Sequence, residues 1–218
     1  MRNHRCLLWA VALIACLSTL RADTFRAYFF IVDWPWMEAQ GYDMDAVKAE
    51  TVPVEDGKMM TLYSLPEFYS GPDPDAYTRL AGQALADMGG KGLTLLAYGE
   101  LEQAEPGLWS LDQSWTLSYA TALDESGEPS EFEERQVGFT AEVREDGRGR
   151  GQGEIKLSLV TLDKWLPLAA GSPIPVPLFS TRETSSKQNL PEELPLATMP
   201  CIGKDEVWFF VLHRVAEE

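Results

Sequence analysis

Histidine and cysteine, the usual general base and thiol nucleophile, are scarce in this sequence of 218 residues, with two and three copies. The two histidines are His4, in the N-terminal segment, and His213, in an apolar stretch near the C-terminus. A serine or cysteine nucleophile needs a neighbouring base, and a zinc site needs several histidine or cysteine ligands. We therefore predict that the protein is not an enzyme, and that it has no metal site and no cofactor.

Carboxylates and glycines are plentiful but do not form a known ligand pattern. Asp43 and Asp45 follow Gly41 without the spacing and the closing glutamate of a calcium loop. The glycines of residues 147–153 lack the Lys-Ser/Thr pair that ends a phosphate-binding loop, and strands are predicted on both sides of them. We interpret the carboxylates as solvated surface and the glycine-rich segment as a hairpin tip.

The N-terminus has the pattern of an export signal. Arg2 and Arg5 precede an apolar run over residues 6–20, which is too short to span a bilayer comfortably and is typical of a signal-peptide core. We predict cleavage before Asp23, so that residues 1–22 are removed and the protein is exported to the periplasm or the outer membrane. The alternative is a lipobox at residues 13–16, in which Cys16 carries the lipid.

The charge of the chain is strongly acidic. The net charge is −16, and removal of residues 1–22 leaves 15 of the 18 basic residues against 34 acidic ones, or about −19. Such a surface repels phosphate backbones and anionic headgroups. We therefore predict no nucleic-acid partner, and membrane association only through lipidation or assembly. Cys201 alone remains after cleavage, so no internal disulfide is expected.

One helix and several strands are predicted over residues 23–218, which we interpret as a single domain. Residues 25–33 alternate with apolar side chains on both faces, as in a central strand, whereas residues 34–56 have no regular pattern. The principal helix is predicted over residues 74–88, because Asp73 can cap it, Pro74 suits its first turn and Gly89 can end it.

The rest of the chain has β character. Strands are predicted at residues 58–65, 92–98, 115–123, 132–143 and 155–159, while the prolines between Trp165 and Pro177 argue against regular structure there. Residues 178–188 suit an exposed or edge strand. The predicted fold class is α+β: a predominantly antiparallel sheet with one main helix.

The last strand, over residues 206–215, is apolar on both faces. Burial at the centre of a sheet is one explanation, and a strand that contacts another copy or a partner is the alternative. The residues concerned are Val207, Trp208, Phe209, Phe210, Val211 and Leu212. Five tryptophans could line a carbohydrate or peptide groove, although core and rim positions are more common for this residue: Trp34, Trp36, Trp109, Trp115 and Trp165.

Taken in order, these segments resemble the C-terminal domain of secretins, the ring-forming channels of bacterial secretion and pilus systems. The stretch that contains Pro177, Phe179, Thr181 and Arg182 is similar to the family's proline–aromatic–Thr-Arg segment. Pro200 and Gly203 lie in a stretch similar to its Ile-Pro-x-Leu-Gly motif. The closing strand resembles the family's last strand, and the series spans nearly all of residues 23–218.

The resemblance implies a secretin-like order of elements and a non-enzymatic role in the cell envelope. It implies a protein that acts by self-association or together with secretion-system or pilus proteins. A periplasmic or lipid-anchored binding module for peptide or glycan, without pore formation, is the alternative.

Overall fold

The predicted fold class is confirmed by the structure, a computed structural model that describes residues 23–53, 59–66, 74–147, 151–168, 174–191, 194–198 and 201–216. Most of these residues lie in antiparallel strands. The strands are β1 (Asp23–Asp33), β2 (Lys48–Pro53), β3 (Met59–Ser64), β4 (Leu93–Glu105), β5 (Leu108–Ala120), β6 (Phe132–Glu145), β7 (Gln152–Pro167), β8 (Pro175–Asn189), β9 (Leu196–Ala197), β10 (Cys201–Ile202) and β11 (Glu206–Ala216). The helices are α1 (Trp34–Ala39) and α2 (Pro74–Ala86).

The main sheet has the strand order β10-β11-β1-β4-β5-β6-β7-β8, and β9 also pairs with β11. We call β1, β4, β9, β10 and β11 the central half, and β5 to β8 the outer half. The two halves are joined where β4 pairs with β5, between Glu102 opposite Ser110 and Glu105 opposite Leu108. Beyond that short pairing the two strands separate.

The central half is covered on both faces. On one face its side chains pack with the helices in a helix-side core, which includes Tyr28, Phe30, Val32, Phe209 and Val211 together with Leu80, Ala81 and Ala84 of α2. On the other face they pack against the outer half in an inter-sheet core, which includes Phe25, Phe29, Phe210, Trp109, Phe139 and Leu157. The strands β1 and β11 are therefore the middle layer, as the alternation in the sequence predicts for β1.

Helix α2 follows the predicted pattern closely and ends two residues early. Asp75 lies in its first turn, where a carboxylate favours the positive end of the helix dipole, and Ala76, Leu80, Ala81 and Ala84 form its buried stripe. Gly89, with φ of +84°, follows its end. No helix among the described residues is both long and apolar enough to cross a membrane.

Two segments without a predicted pattern are regular in the structure. The first, residues 34–39, forms α1: the Asp33 side chain accepts a hydrogen bond from the Trp36 backbone N–H at 2.8 Å, and Pro35 occupies the first turn. A proline at this position loses no helical hydrogen bond, so the helix tolerates it. The second, residues 48–53, forms β2, which pairs in a two-stranded ribbon with β3, the strand predicted at residues 58–65; Lys48 lies opposite Ser64 and Pro53 opposite Met59.

The prediction that residues 165–177 lack regular structure is wrong at both ends. β7 continues to Pro167 and β8 begins at Pro175, and these two prolines lie opposite each other at the end of the pairing. A proline at a strand end leaves the hydrogen bonds of the central ladder intact.

Phe210 tests the inter-sheet core. It is fully buried, and its ring centroid lies 4.6 Å from that of Phe29 and 6.1 Å from that of Phe139. We expect Phe210→Ala to lower the free energy of unfolding in urea by about 3–5 kcal/mol, because the cavity would lie between two sheets. Phe132→Ala is the matched control: Phe132 is 62% exposed, so the change should stay within about 0.5 kcal/mol. A loss below about 1 kcal/mol for Phe210→Ala would contradict this core assignment.

Candidate functional site

The two residues with catalytic potential, His213 and Cys201, are partly buried in the fold. His213 is half-buried opposite Arg26 of β1, and burial, with the Arg26 charge second, lowers its pKa so that the neutral ring is favoured. Burial also raises the pKa of the Cys201 thiol, against the effect of Arg182, which disfavours the reactive thiolate. Among the described residues, no group of three or more His, Cys, Asp or Glu side chains is arranged to hold a metal ion.

The closing strand is buried by its own chain. Val207, Phe209, Phe210, Val211 and Leu212 of β11 have no exposed surface, and Trp208 is only partly exposed. β11 pairs with β1 along its whole length and with β9 and β10 on the other side. Central burial thus accounts for these apolar side chains, and the five fully buried ones present no surface to a partner.

The motif residues lie along the outermost strand and near the turn that leads into β11. Pro177, Phe179, Thr181 and Arg182 belong to β8, and Gly203 donates its backbone N–H to the carbonyl of Glu206 at 2.7 Å. Arg182 and Glu206 lie 4.0 Å apart, so an ion pair brings the two stretches together. Pro200 and Cys16 lie outside the described residues.

The outer half has a free strand edge on each side. β8 pairs with β7 over residues 175–189 and has no partner on its other side among the described residues. β5 pairs with β6 along its length, but β4 covers only residues 108–110 of its other side. Residues 111–120 of β5 are therefore a second unpaired edge. Unpaired backbone donors and acceptors on long strands are a template for pairing with another chain.

The outer half also splits into two arms at Gly138. The pairing of β6 with β7 ends at Gly138 opposite Val160, whereas β5–β6 and β7–β8 each continue. Gly138 has φ of +134°, and an added Cβ would overlap the carbonyl oxygen of Gln113 on the paired strand. Only glycine fits this close approach without strain.

The two arms meet through one aromatic contact. The rings of Tyr119 and Phe179 lie 5.8 Å apart, and the guanidinium of Arg135 lies 4.9 Å from the centroid of Phe179. Arg135 also donates to the Thr181 hydroxyl at 2.9 Å. The predicted motif residues Phe179 and Thr181 therefore hold the β5–β6 arm against the β7–β8 arm.

Exposed apolar side chains border the separation of β4 and β5. A groove of about 610 Å³ lies there, and its lining includes Leu96 and Tyr98 of β4, Trp115 of β5 and Val137 of β6. Leu96, Tyr98 and Trp115 are exposed. Of the tryptophans that the sequence suggested for a groove, Trp115 lines this one; Trp165 is exposed on the β7–β8 arm, whereas Trp109 is buried in the inter-sheet core.

A second groove, of about 690 Å³, crosses the polar face of the outer half. Its lining is rich in hydroxyl and charged groups, such as Ser110, Thr140 and Ser158. Lys156 lies 3.8 Å from Glu142 and 3.5 Å from Glu154. These pairs are exposed and contribute little to stability. The groove follows from the alternation of apolar and polar residues that the sequence shows in β6.

The sequence predicts β8 and β3 as strands, but it does not predict the free edge of β5 or the pairing of β3 with β2. The serines and threonines of β8 indicate an edge strand, and this signal was visible. The edge of β5 is free because the pairing with β4 stops after residue 110, and no local sequence pattern predicts where that pairing stops. The apolar residues Met59, Met60 and Leu62 are the sequence feature that indicates β3.

No protein-family model matches the chain, and no curated protein matches it. Among solved structures, it is similar to the InvG secretin domain β-barrel of the Salmonella SPI-1 injectisome, with 9% identity, a TM-score of 0.45, and coverage of 99% of this chain and 68% of that one. It is also similar to a near-atomic structure of the Salmonella SPI-1 secretin InvG, with 8% identity, a TM-score of 0.45, and coverage of 99% and 71%.

A third similar structure is the model of the Salmonella basal body proteins InvG, PrgH and PrgK, with 8% identity, a TM-score of 0.45, and coverage of 99% of this chain and 50% of that one.

The backbone of Gly138 can be tested by substitution. We expect Gly138→Ala to lower the free energy of unfolding by at least about 2 kcal/mol, because the Cβ would meet the facing backbone at a positive φ. Gly82→Ala is the control, since no atom lies within 4 Å of the added Cβ in α2; it should stabilise the protein by about 0.5–1 kcal/mol. Urea unfolding measures both. A neutral Gly138→Ala would contradict the described close approach of β5.

Proposed function

We propose that this protein is a non-enzymatic, secretin-like component of the cell envelope that acts by self-association, as part of a protein secretion or pilus apparatus. The ordered sequence motifs support this function. The observation that carries it is the pair of free strand edges, β8 and residues 111–120 of β5, which end the strand order β5-β6-β7-β8. The two strands approach each other within the chain where Tyr119 meets Phe179.

The directions of these edges suit pairing between copies. Adjacent strands of the outer half are antiparallel, and the half contains an even number of them. β5 and β8 therefore run in opposite directions, so β8 of one copy extends the antiparallel sheet when it pairs with β5 of the next. Such a head-to-tail contact uses two different surfaces and generates a ring when the rotation closes.

The proposed location is the periplasm or the outer membrane, after export and removal of residues 1–22. The basic N-terminus and the apolar run that follows support export. Lipidation of Cys16 is the alternative route to the membrane. The proposed partners are further copies of this chain and proteins of the secretion or pilus apparatus.

A second candidate function is a binding module for peptide or glycan. It is favoured by the groove beside β4, where the exposed rings of Tyr98 and Trp115 could stack on a ligand. A protein that stays monomeric, and whose tryptophan fluorescence and melting temperature shift with a peptide or glycan, would favour this function over assembly.

Light scattering provides the first test of self-association. We expect the chain that starts at Asp23 to form a large, defined assembly in multi-angle light scattering, in buffer or in mild detergent. The physical reason is that both free edges gain backbone partners only when copies meet. A clean monomer in both conditions, over the full accessible range of concentration, would rule out the proposed self-association.

A lysine on the edge strand tests the proposed contact itself. Ser185 is exposed on β8. We expect Ser185→Lys to raise the midpoint concentration for assembly at least about tenfold, because edge lysines oppose strand addition. Ser158→Lys adds the same charge on the same sheet face of the interior strand β7 and should leave assembly unchanged. Equal effects of both substitutions on assembly would contradict a contact through the β8 edge.

A further inference from the structure

The two free edges of the outer half are tied together within the chain at one end. β5 ends at Ala120 and β8 begins at Pro175, and near these ends the ring of Tyr119 lies 5.8 Å from that of Phe179. In the sheet, β5 and β8 are the first and the last strand of the order β5-β6-β7-β8. In a head-to-tail assembly each edge must face a different neighbouring copy, so the two edges have to be apart. The described chain does not meet that condition at this end.

A small set of side chains holds this contact. The guanidinium of Arg135 on β6 lies 4.9 Å from the ring centroid of Phe179 and donates to the Thr181 hydroxyl at 2.9 Å. The Tyr119 hydroxyl donates to the Glu133 carboxylate at 3.0 Å, which fixes the tyrosine ring on its own arm. We call Tyr119, Arg135, Phe179 and Thr181 the arm clasp, because they join the β5–β6 arm to the β7–β8 arm.

The two arms are separate ribbons between Gly138 and the arm clasp. β6 pairs with β7 only from Gly138 opposite Val160 to Glu145 opposite Gly153, so no strand pairing among the described residues joins the arms beyond Gly138. Each arm is two-stranded there, and a ribbon of two strands is marginally stable in water. Both arms therefore gain stability from an added strand.

The arm clasp can open without the loss of a core. Arg135 and Thr181 are exposed, and Tyr119 and Phe179 are half-buried. None of the four belongs to the helix-side core or to the inter-sheet core. Cation–π contacts and hydrogen bonds at exposed positions are weak, because water competes for the same groups. The arms can therefore separate while both cores stay intact.

We propose that the arm clasp is an autoinhibitory contact, which holds the ends of β5 and β8 together in the single chain and opens when copies pair. The proposal rests on the proposed self-association and adds its regulation. In the closed chain the contact of Tyr119 with Phe179 occupies the end of both edges. An incoming strand lies about 4.8 Å from its partner and has no room at that end. Once Arg135 releases Phe179 and Thr181, each arm can add a strand from a neighbouring copy.

An opened variant and a matched control test the arm clasp by removing it. The opened variant carries Arg135→Thr and Phe179→Thr, since threonine is compatible with a strand. The control variant carries Arg144→Thr and Phe132→Thr, which removes the same two residue types from exposed positions of β6 outside the clasp. All proteins are produced as the full chain and purified in the form that the cell processes. Circular dichroism and thermal melting establish that each is folded.

We expect the opened variant to assemble at a concentration at least about tenfold lower than the unchanged protein does, into particles of the same mass in multi-angle light scattering. The control variant should assemble as the unchanged protein does. Adding Ser185→Lys to the opened variant should raise the required concentration again, because a lysine on the edge opposes strand addition. Random aggregation of a loosened protein would lack this response.

A locked variant tests the arm clasp by making it permanent. It carries Tyr119→Cys and Phe179→Cys in a Cys201→Ser background, and a short bifunctional maleimide joins the two new thiols. The same protein treated with N-ethylmaleimide, which modifies each thiol separately, is the control. We expect the joined protein to remain monomeric over the range of concentration in which the singly modified protein assembles.

Other outcomes overturn the inference in distinguishable ways. Assembly of the joined protein at the same concentration as the singly modified protein would show that closed arms do not inhibit pairing. Equal assembly of the opened variant and the unchanged protein would exclude inhibition by the clasp and leave the proposed self-association intact. An unchanged protein that stays monomeric at every concentration, like the opened variant, overturns the proposed self-association itself and the inference with it.

Discussion

The pairing of β1 with β11 is the interaction on which the other described elements depend. The two strands lie side by side from Asp23 opposite Ala216 to Asp33 opposite Glu206. Phe29, Phe30, Phe209 and Phe210 are fully buried, and each contributes about 1.5–3 kcal/mol relative to an exposed side chain. Because alternate residues face opposite cores, the same backbone ladder supports the helices on one side and the outer half on the other. A lost β1–β11 pairing would therefore expose both cores.

The sequence predicted this middle layer as two separate strands, because apolar residues on both faces of β1 and β11 are a local signal. It could not predict that the two strands pair, since they come from opposite ends of the chain. The regular helix α2, the wet face of β6 and the β6–β7 hairpin were equally readable. The misread segments contain prolines at element ends: Pro35 in the first turn of α1, and Pro167 and Pro175 at the ends of β7 and β8.

The candidate contact surfaces were less predictable than the fold. The most apolar strand, β11, was the leading candidate for a partner contact, but high apolar content on both faces is what a central strand requires. Contact through an edge depends on unpaired backbone groups, and these carry no side-chain signature. β5 shows the difficulty, because its polar residues Asp112 and Gln113 resemble those of any solvent-exposed strand. Its edge is free because the pairing with β4 stops at Glu102 opposite Ser110, and the Leu111 side chain fills the space beside Gly99.

The acidic charge of the protein and its two free edges act against each other. Long unpaired strands promote indiscriminate association, whereas copies of a chain with a net charge of −16 repel one another. At physiological salt this repulsion is screened beyond about 8 Å, so it slows encounters more than it weakens contacts already made. Self-repulsion therefore slows random edge pairing, while the backbone hydrogen bonds of two aligned edges are little affected once they have formed.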